Sequence, residues 1–307
     1  MIGKEALAKL KGARVAVFGL GAVGSYAVEA LARAGIGFLR LVDCDVVRPS
    51  NINRQIFALE STLNRPKAEV AAERVLDINP ACKVEAMHEF AGKSTISKLL
   101  EKPLDAVIDA IDSVSPKVEL IAAAVHSGIQ VVSSMGAATR MDPAAVRLGD
   151  ISETDVCPLA RYVRKRLRRR GITTGFRCVF SIEDPFNEAP CGKPQGISGA
   201  SQAEFRRSLG QPAFAQLSYG EVRPAIHSRG IHLRTDSARL EPRSILAKAN
   251  KTEAVEEDDQ SFRQGRLRRP IGSFSYMTGI FGLLAAYEVI KIIIPVQRKA
   301  HGRKESK

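Results

Sequence analysis

This 307-residue chain contains no Trp, and Phe, Tyr and Trp together make up only 6% of it. A broad aromatic platform for stacking single-stranded bases is thereby excluded. Cysteine is scarce as well, with five residues at 44, 82, 157, 178 and 191 and no CxxC pair. That count and spacing argue against a disulfide framework and against a structural zinc site, and they fit a reducing, cytoplasmic compartment. The N-terminus, Met-Ile-Gly-Lys-Glu, is charged at once and lacks the apolar stretch of a signal peptide. Long apolar runs are missing too. In the last apolar segment the longest uncharged run, 271–287, has 17 residues, including three Gly, two Ser, a Thr and two Tyr. That is short of the roughly 20 apolar residues a bilayer requires, so a core or dimer-interface helix over 275–294 is expected rather than membrane association.

What is present is ordinary for a soluble globular protein: 45% hydrophobic and 26% charged residues, in a chain long enough to bury a sizeable core. The charge balance is not ordinary. Lys+Arg number 46 against 33 Asp+Glu, a net +13, which points to an acidic partner such as nucleic acid. Seven of those cations fall in RYVRKRLRRR, 161–170, which holds no acid. A second anomaly is 187–270, rich in Gly, Pro, Ser, Gln and Arg, without sustained period and with an acidic run at 253–259. Such a composition buries too little apolar surface to offset its ordering entropy, so it reads as a long, largely disordered insertion. A basic tail, 295–307, closes the chain.

From 14 to 135, β-branched runs alternate with amphipathic stretches of helix length. Strands are expected at 14–19, 38–43, 83–88, 105–110 and 129–134, and helices at 22–35, 65–78 and 116–127, the last opened by Ser115-Pro116. Strand, crossover helix and strand repeated in this way predict an α/β fold with a doubly wound parallel sheet. Gly19-Leu20-Gly21-Ala22-Val23-Gly24 follows the first strand and opens a helix, the context in which GxGxxG carries meaning. Its first Gly allows the tight turn, its second lets a phosphate approach the backbone, and its third lets helix pack on strand. Asp43 ends the next strand, placed to accept hydrogen bonds from ribose hydroxyls. The motif reports a nucleotide in a Rossmann-like sheet and leaves open which one.

The next loop, Asp43-Cys-Asp45-Val-Val-Arg48-Pro-Ser-Asn51-Ile-Asn-Arg54-Gln55, carries more polar groups than dinucleotide binding needs. Lys67 follows at a helix start, and Asp109 and Asp112 flank the end of a later strand. All lie where an open α/β sheet binds ligands. Arg54 and Lys67 suit a triphosphate, the Asp112 carboxylate suits Mg²⁺, and Asn51 suits phosphate or ribose. Asp109 is open between a site group and a structural cap.

Through GLGAVGS (19–25), VDCD (42–45), SNINRQ (50–55), RPKAE (65–69) and IDAIDS (108–113), the chain resembles the ubiquitin-activating and ThiF/MoeB-like adenylating superfamily. AIDSVSPK (110–117), RCVFSIEDP (177–185) and the closing 269–291 segment are similar to its threonylcarbamoyladenosine-dehydrating branch. The resemblance implies an ATP-binding unit over 1–186 plus 271–294, with the insertion and the tail outside it. It implies ATP and Mg²⁺ as cofactors, adenylation of a threonylcarbamoyl carboxylate on tRNA, ring closure, and a homodimer. Catalytic roles would fall to Arg54, Lys67 and the metal-binding Asp112, and nucleotide contacts to Gly19, Gly21, Gly24, Asp43, Asp45, Asn51, Arg54, Gln55 and Lys67. Two alternatives stay open: activation of a small carrier protein, and a non-catalytic RNA-binding member of the fold. Relatives carry an Arg upstream of the segment matching 2–10. This chain opens at Met1-Ile2-Gly3, so either the true start lies further upstream or that phosphate binding is weakened or supplied otherwise.

In the basic segment, Asp155-Val-Cys157-Pro158 is expected to open a helix running to Gly171, with Leu159, Val163 and Leu167 on its apolar face. Arg161, Arg164, Lys165, Arg168 and Arg169 then form the candidate tRNA surface. Cys178 reads as core, and Cys157 as the better-exposed thiol.

Overall fold

The computed structural model describes residues 3–101, 103–185 and 273–295. The expected insertion at 187–270 and the tail from 296 onward lie outside the described residues.

Helix α1 (Lys4–Gly12) leads into strand β1 (Arg14–Phe18) and helix α2 (Gly24–Ala34), followed by β2 (Phe38–Val42), α3 (Lys67–Ile78) and β3 (Lys83–Met87). A short α4 (Ile96–Leu99), β4 (Ala106–Asp109), α5 (Val114–His126) and β5 (Gln130–Ser134) continue the alternation. Then come β6 (Val146–Asp150), α6 (Pro158–Arg168), β7 (Arg177–Ser181) and α7 (Ser275–Ile293). The seven strands form one sheet in the order β3-β2-β1-β4-β5-β7-β6, parallel except where β6 pairs antiparallel with β7. The chain winds outward from β1 to β3 and returns to place β4 on the other side of β1. The switch point therefore lies between Phe18 and its register partner Asp109.

Period-two side-chain alternation divides the core into two layers. Val15, Val17, Leu39 and Leu41 face α2, α3 and α7, where Leu31, Val75, Phe281 and Val289 are buried. Ala16, Phe18 and Val107 face α5 and α6 on the other side, where Leu120, Ile121, Val163 and Leu167 are buried. By length and composition α7 does reach what a membrane crossing needs, more than its uncharged run suggests, but half of it is buried inside the protein. It packs on α2 at close range, since a Cβ on Gly282 would stand 2.4 Å from the Val23 carbonyl oxygen. The buried Glu288 fixes its other side, accepting from Arg177 Nε at 3.0 Å and from Lys291 Nζ at 3.3 Å.

Several expectations need correction. Helix α5 begins at Val114 with Ser113 as its cap, so Ser115-Pro116 lies inside the first turn. Proline is tolerated there because first-turn N–H groups have no intrahelical acceptor. On α6 the buried face is Ala160, Val163 and Leu167, with Leu159 only half-buried, a rotation of the expected stripe. The regular helix ends at Arg168, and a closing turn reaches Gly171 (φ 78), with Ile172 N–H donating to the Leu167 carbonyl at 3.1 Å.

Candidate active site

The glycine turn is built by close packing. Gly19 has φ 85, and a Cβ there would stand 2.7 Å from the Ala110 carbonyl oxygen, while one on Gly24 would stand 1.8 Å from the carbonyl oxygen of Gly19. Both positions exclude any side chain. Gly21 differs: the nearest atom to its Cβ position is Gln55 Nε2 at 3.7 Å, which leaves its backbone approachable. Helix α2 then begins without a side-chain cap, and the positive end of its dipole is presented at this turn.

Asp43 locks that turn to the next loop. Its Oδ2 accepts from Leu20 N–H at 2.6 Å and its Oδ1 from Asp45 N–H at 2.8 Å. Burial pushes the carboxyl above its ordinary value despite the nearby Lys67 ammonium. Two backbone donors thus occupy the carboxylate expected to face a ribose, although each oxygen keeps a second lone pair. Lys67, buried at the start of α3, donates from Nζ to Asp45 Oδ2 at 2.7 Å, and its N–H donates to the Asp45 carbonyl at 3.0 Å. Asn51 is buried, with Oδ1 accepting from Arg48 N–H at 3.1 Å, so its visible work is to shape the loop. The half-buried Arg54 is held by its own loop, donating to the Ser50 carbonyl at 2.7 Å and to Asn53 Oδ1 at 2.9 Å. Gln55 is buried beside Gly21, and Ile56 N–H meets Ser25 Oγ at 3.3 Å. The structure therefore gathers Gly19, Gly21, Gly24, Asp43, Asp45, Gln55 and Lys67 through direct contacts, with Asn51 and Arg54 on the same loop.

On the other side of the switch point, sequence reasoning missed the main ionic feature. Asp109 and Lys117 are both fully buried and pair at 2.7 Å, and Ser133 Oγ donates to the same carboxylate oxygen at 2.6 Å. The second oxygen of Asp109 accepts from Ile111 N–H at 3.1 Å. This fixes the turn that carries Ala110 against Gly19 and then presents the exposed Asp112. Asp109 is thus an internal anchor. A signal for Lys117 was available: it precedes Leu120 and Ile121 by three and four residues, on the buried face of α5.

One group of potential metal ligands lies elsewhere. Asp43, Cys44 and Asp45 place ligand atoms within 4.8 Å of one another. Burial and the flanking carboxylates push the Cys44 thiol up to about 11, and Lys67 already occupies Asp45. A protonated sulfur beside a lysine suits Mg²⁺ poorly, since that ion prefers hard oxygen donors. Cys157 is buried, which corrects its expected exposure. It is the N-cap residue of α6, and a Cβ on Gly136 would stand 3.4 Å from its sulfur. Cys178 is buried in β7 as expected, and desolvation pushes its thiol well up.

Along α6 the cations divide. Arg164, expected on the tRNA surface, turns inward and donates to the carbonyl and hydroxyl of Thr154. Arg166 donates to Ser115 Oγ at 2.7 Å, and Arg170 pairs with Glu119. Arg161, Lys165, Arg168 and Arg169 are exposed, and their side chains have no hydrogen-bonding or ion-pair partner among the described residues.

The ThiF family model matches residues 1–305. The chain belongs to the ThiF family. Among relatives of this ThiF-family chain, the tRNA threonylcarbamoyladenosine dehydratase of Bacillus subtilis is 45% identical over 184 residues, which are 60% of this chain and 72% of that protein. The Escherichia coli tRNA N6-threonylcarbamoyladenosine dehydratase, solved in complex with AMP, aligns with 95% of this chain and 90% of its own at a TM-score of 0.65 and 28% identity. The same enzyme in complex with ATP aligns over 60% of this chain and 78% of its own, with TM-score 0.57 and 40% identity. The glycine turn fits the family's nucleotide: two glycines admit no side chain, the third leaves its backbone open, and an uncapped helix starts behind it.

Proposed function

We propose that this chain is an ATP-dependent tRNA threonylcarbamoyladenosine dehydratase. The observation that carries the reading is the joined edge of the sheet, where the open Gly21 backbone, the buried Lys67 and the Asp112 turn lie around one switch point. ATP supplies the activation: the threonylcarbamoyl carboxylate displaces pyrophosphate at the α-phosphorus, and AMP becomes the leaving group when the modified base closes on itself. Intramolecular closure has a high effective molarity, so no protein nucleophile is required. That suits the described cysteines, of which Cys82, Cys157 and Cys178 are buried and Cys44 holds its proton.

The chain's own groups have separable tasks. Gly19, Gly21 and Gly24 admit the phosphates to the backbone, and the start of α2 offsets their charge. Lys67 and Arg54 stabilise the charge that develops on the transferring phosphoryl group. Gln55, Asn51 and Asp43 hold the shape of the wall against which the nucleoside sits, and Asp45 keeps Lys67 aimed. Asp112 would hold Mg²⁺, which supplies electrostatic neutralisation of the polyphosphate. Arg161, Lys165, Arg168 and Arg169 face the tRNA backbone. The exposed apolar side chains Tyr276, Leu283 and Tyr287 on α7 favour a homodimer through that helix.

The test is mass spectrometry of tRNA nucleosides after incubation with ATP and Mg²⁺. Threonylcarbamoyladenosine should lose the mass of one water in an ATP-dependent manner. An unchanged nucleoside alongside pyrophosphate exchange driven by a small carrier protein would replace this reading with the carrier-activating one.

A further inference from the structure

A groove of about 470 Å³ lies between α6 and the loops flanking β6 and β7, lined by Ile151, Ser152, Arg164, Leu167, Arg168, Ile172, Thr173 and Thr174. It is not part of the site described above. Asp150 pairs in register with Arg177, and Ile151 N–H donates to the Phe176 carbonyl at 3.2 Å, which places the groove at the amino end of β7. Through Val132 and Ile108 the register carries Arg177 to the level of Val17, one residue short of Phe18 and Asp109 at the nucleotide edge. Helix α6 starts beside Gly136, just past the carboxyl end of β5, and its last turn forms the groove wall.

The groove is polar at its mouth and aliphatic at its floor. The Arg168 side chain is exposed and has no partner among the described residues, while Arg164 stands beside it, tied to Thr154. Two carboxylates are close: that of Glu153, whose Oε1 accepts from Asp150 N–H at 3.0 Å, and that of Asp150, which is engaged by four donors. The Asp150 carboxylate accepts from Ser152 N–H at 2.9 Å, Ser152 Oγ at 2.7 Å, Thr174 Oγ1 at 2.8 Å and Gly175 N–H at 2.8 Å. Across 150–174 there are seven Lys+Arg against three acids. Like charges crowded on one short helix repel one another unless an anion neutralises them.

We propose that this groove is a second phosphate subsite for the tRNA backbone, with Arg168 as its cation and Thr173 at its rim. The inference rests on the tRNA reading and deepens it. The groove continues the cationic face of α6, so a polyanion lying along that helix can set a phosphate against Arg168.

Two variants test it, each compared with wild type by thermal unfolding to show an intact fold. Arg168→Gln removes the cation, and Thr173→Phe fills the groove without changing charge. Both should weaken tRNA binding several-fold and lower the slope of log affinity against log salt by about 1. Wild-type affinity in Thr173→Phe, or an unchanged salt slope in Arg168→Gln, overturns the subsite. Equal competition by polyglutamate and by tRNA overturns it as well, in favour of an acidic protein partner. Failure of the wild-type protein to dehydrate modified tRNA is a separate outcome, which strikes the enzymatic reading and leaves the binding comparison interpretable.

Discussion

At the carboxyl ends of the strands three charges are answered from within the protein: buried Lys67 by Asp45, buried Lys117 by Asp109, and half-buried Asp43 by two backbone N–H groups. Along the outer face of α6, four cations stand without an answer among the described residues. The first arrangement is preorganised. Its charges are fixed and partly desolvated, so they act strongly on a small ligand and need no reorganisation when it arrives. The second is solvated and screened by salt, weak per contact but additive along a polyanion. The difference gives one domain a preorganised edge suited to a small charged ligand and a solvated face suited to a polyanion.

The comparison can be broken most severely at its buried end. Lys117→Met leaves the Asp109 carboxylate buried and unpaired, and should cost about 3–5 kcal/mol in urea unfolding. Adding Asp109→Asn should return much of that loss, and a single variant as stable as wild type would mean that the pair is not an internal anchor. Next in size, Lys67→Ala should lower kcat about 10²–10³-fold with little effect on tRNA affinity, read by pyrophosphate release at saturating tRNA. The solvated region should respond in the opposite manner. Changing Arg161, Lys165, Arg168 and Arg169 together to Gln should reduce the salt slope of tRNA binding by about 3–4, with ATP affinity preserved.

Two smaller effects sharpen the contrast. The Arg170 guanidinium holds the Glu119 carboxyl below its ordinary value of 4.5. A depressed acid adds stability above its unfolded value and loses it as pH falls through the folded one. Glu119→Gln should therefore cost less than about 1 kcal/mol near neutral pH and nothing below both values, measured by thermal melts across pH. For Cys44, whose thiol is pushed up to about 11, alkylation of the native protein should rise about tenfold per pH unit through the mildly alkaline range. A plateau near pH 8 in peptide mapping would show that burial does not control this thiol.

How much of this was legible in the sequence follows from how local each signal is. β1, β2, β4 and β5 are short apolar runs buried on both faces, and nothing else of that length and composition competes with a parallel strand. β6, VRLGD, was invisible because it is a partly exposed edge strand whose pairing comes only from β7. The glycine turn and Asp43 stood out because each is fixed within a few residues of a strand end. Lys117 did not, because its partners come from β4 and β5 and only the assembled sheet brings them together. The basic segment was legible as charge but not as geometry. Periodicity suggested a stripe through Leu159, whereas packing buries Ala160 and turns Arg164 inward to Thr154.

The seat of α7 on α2 has a temporal consequence. During synthesis the glycine turn and its crossover helix leave the ribosome early, yet the surface of α2 that receives Gly279 and Gly282 has no cover until 275–293 emerges. Until then the nucleotide-binding half is a nascent chain with an apolar flank, vulnerable to premature association. Its final stability arrives only with the closing segment, so truncation anywhere in the long stretch before α7 would damage the first-made part of the protein and the last-made part alike.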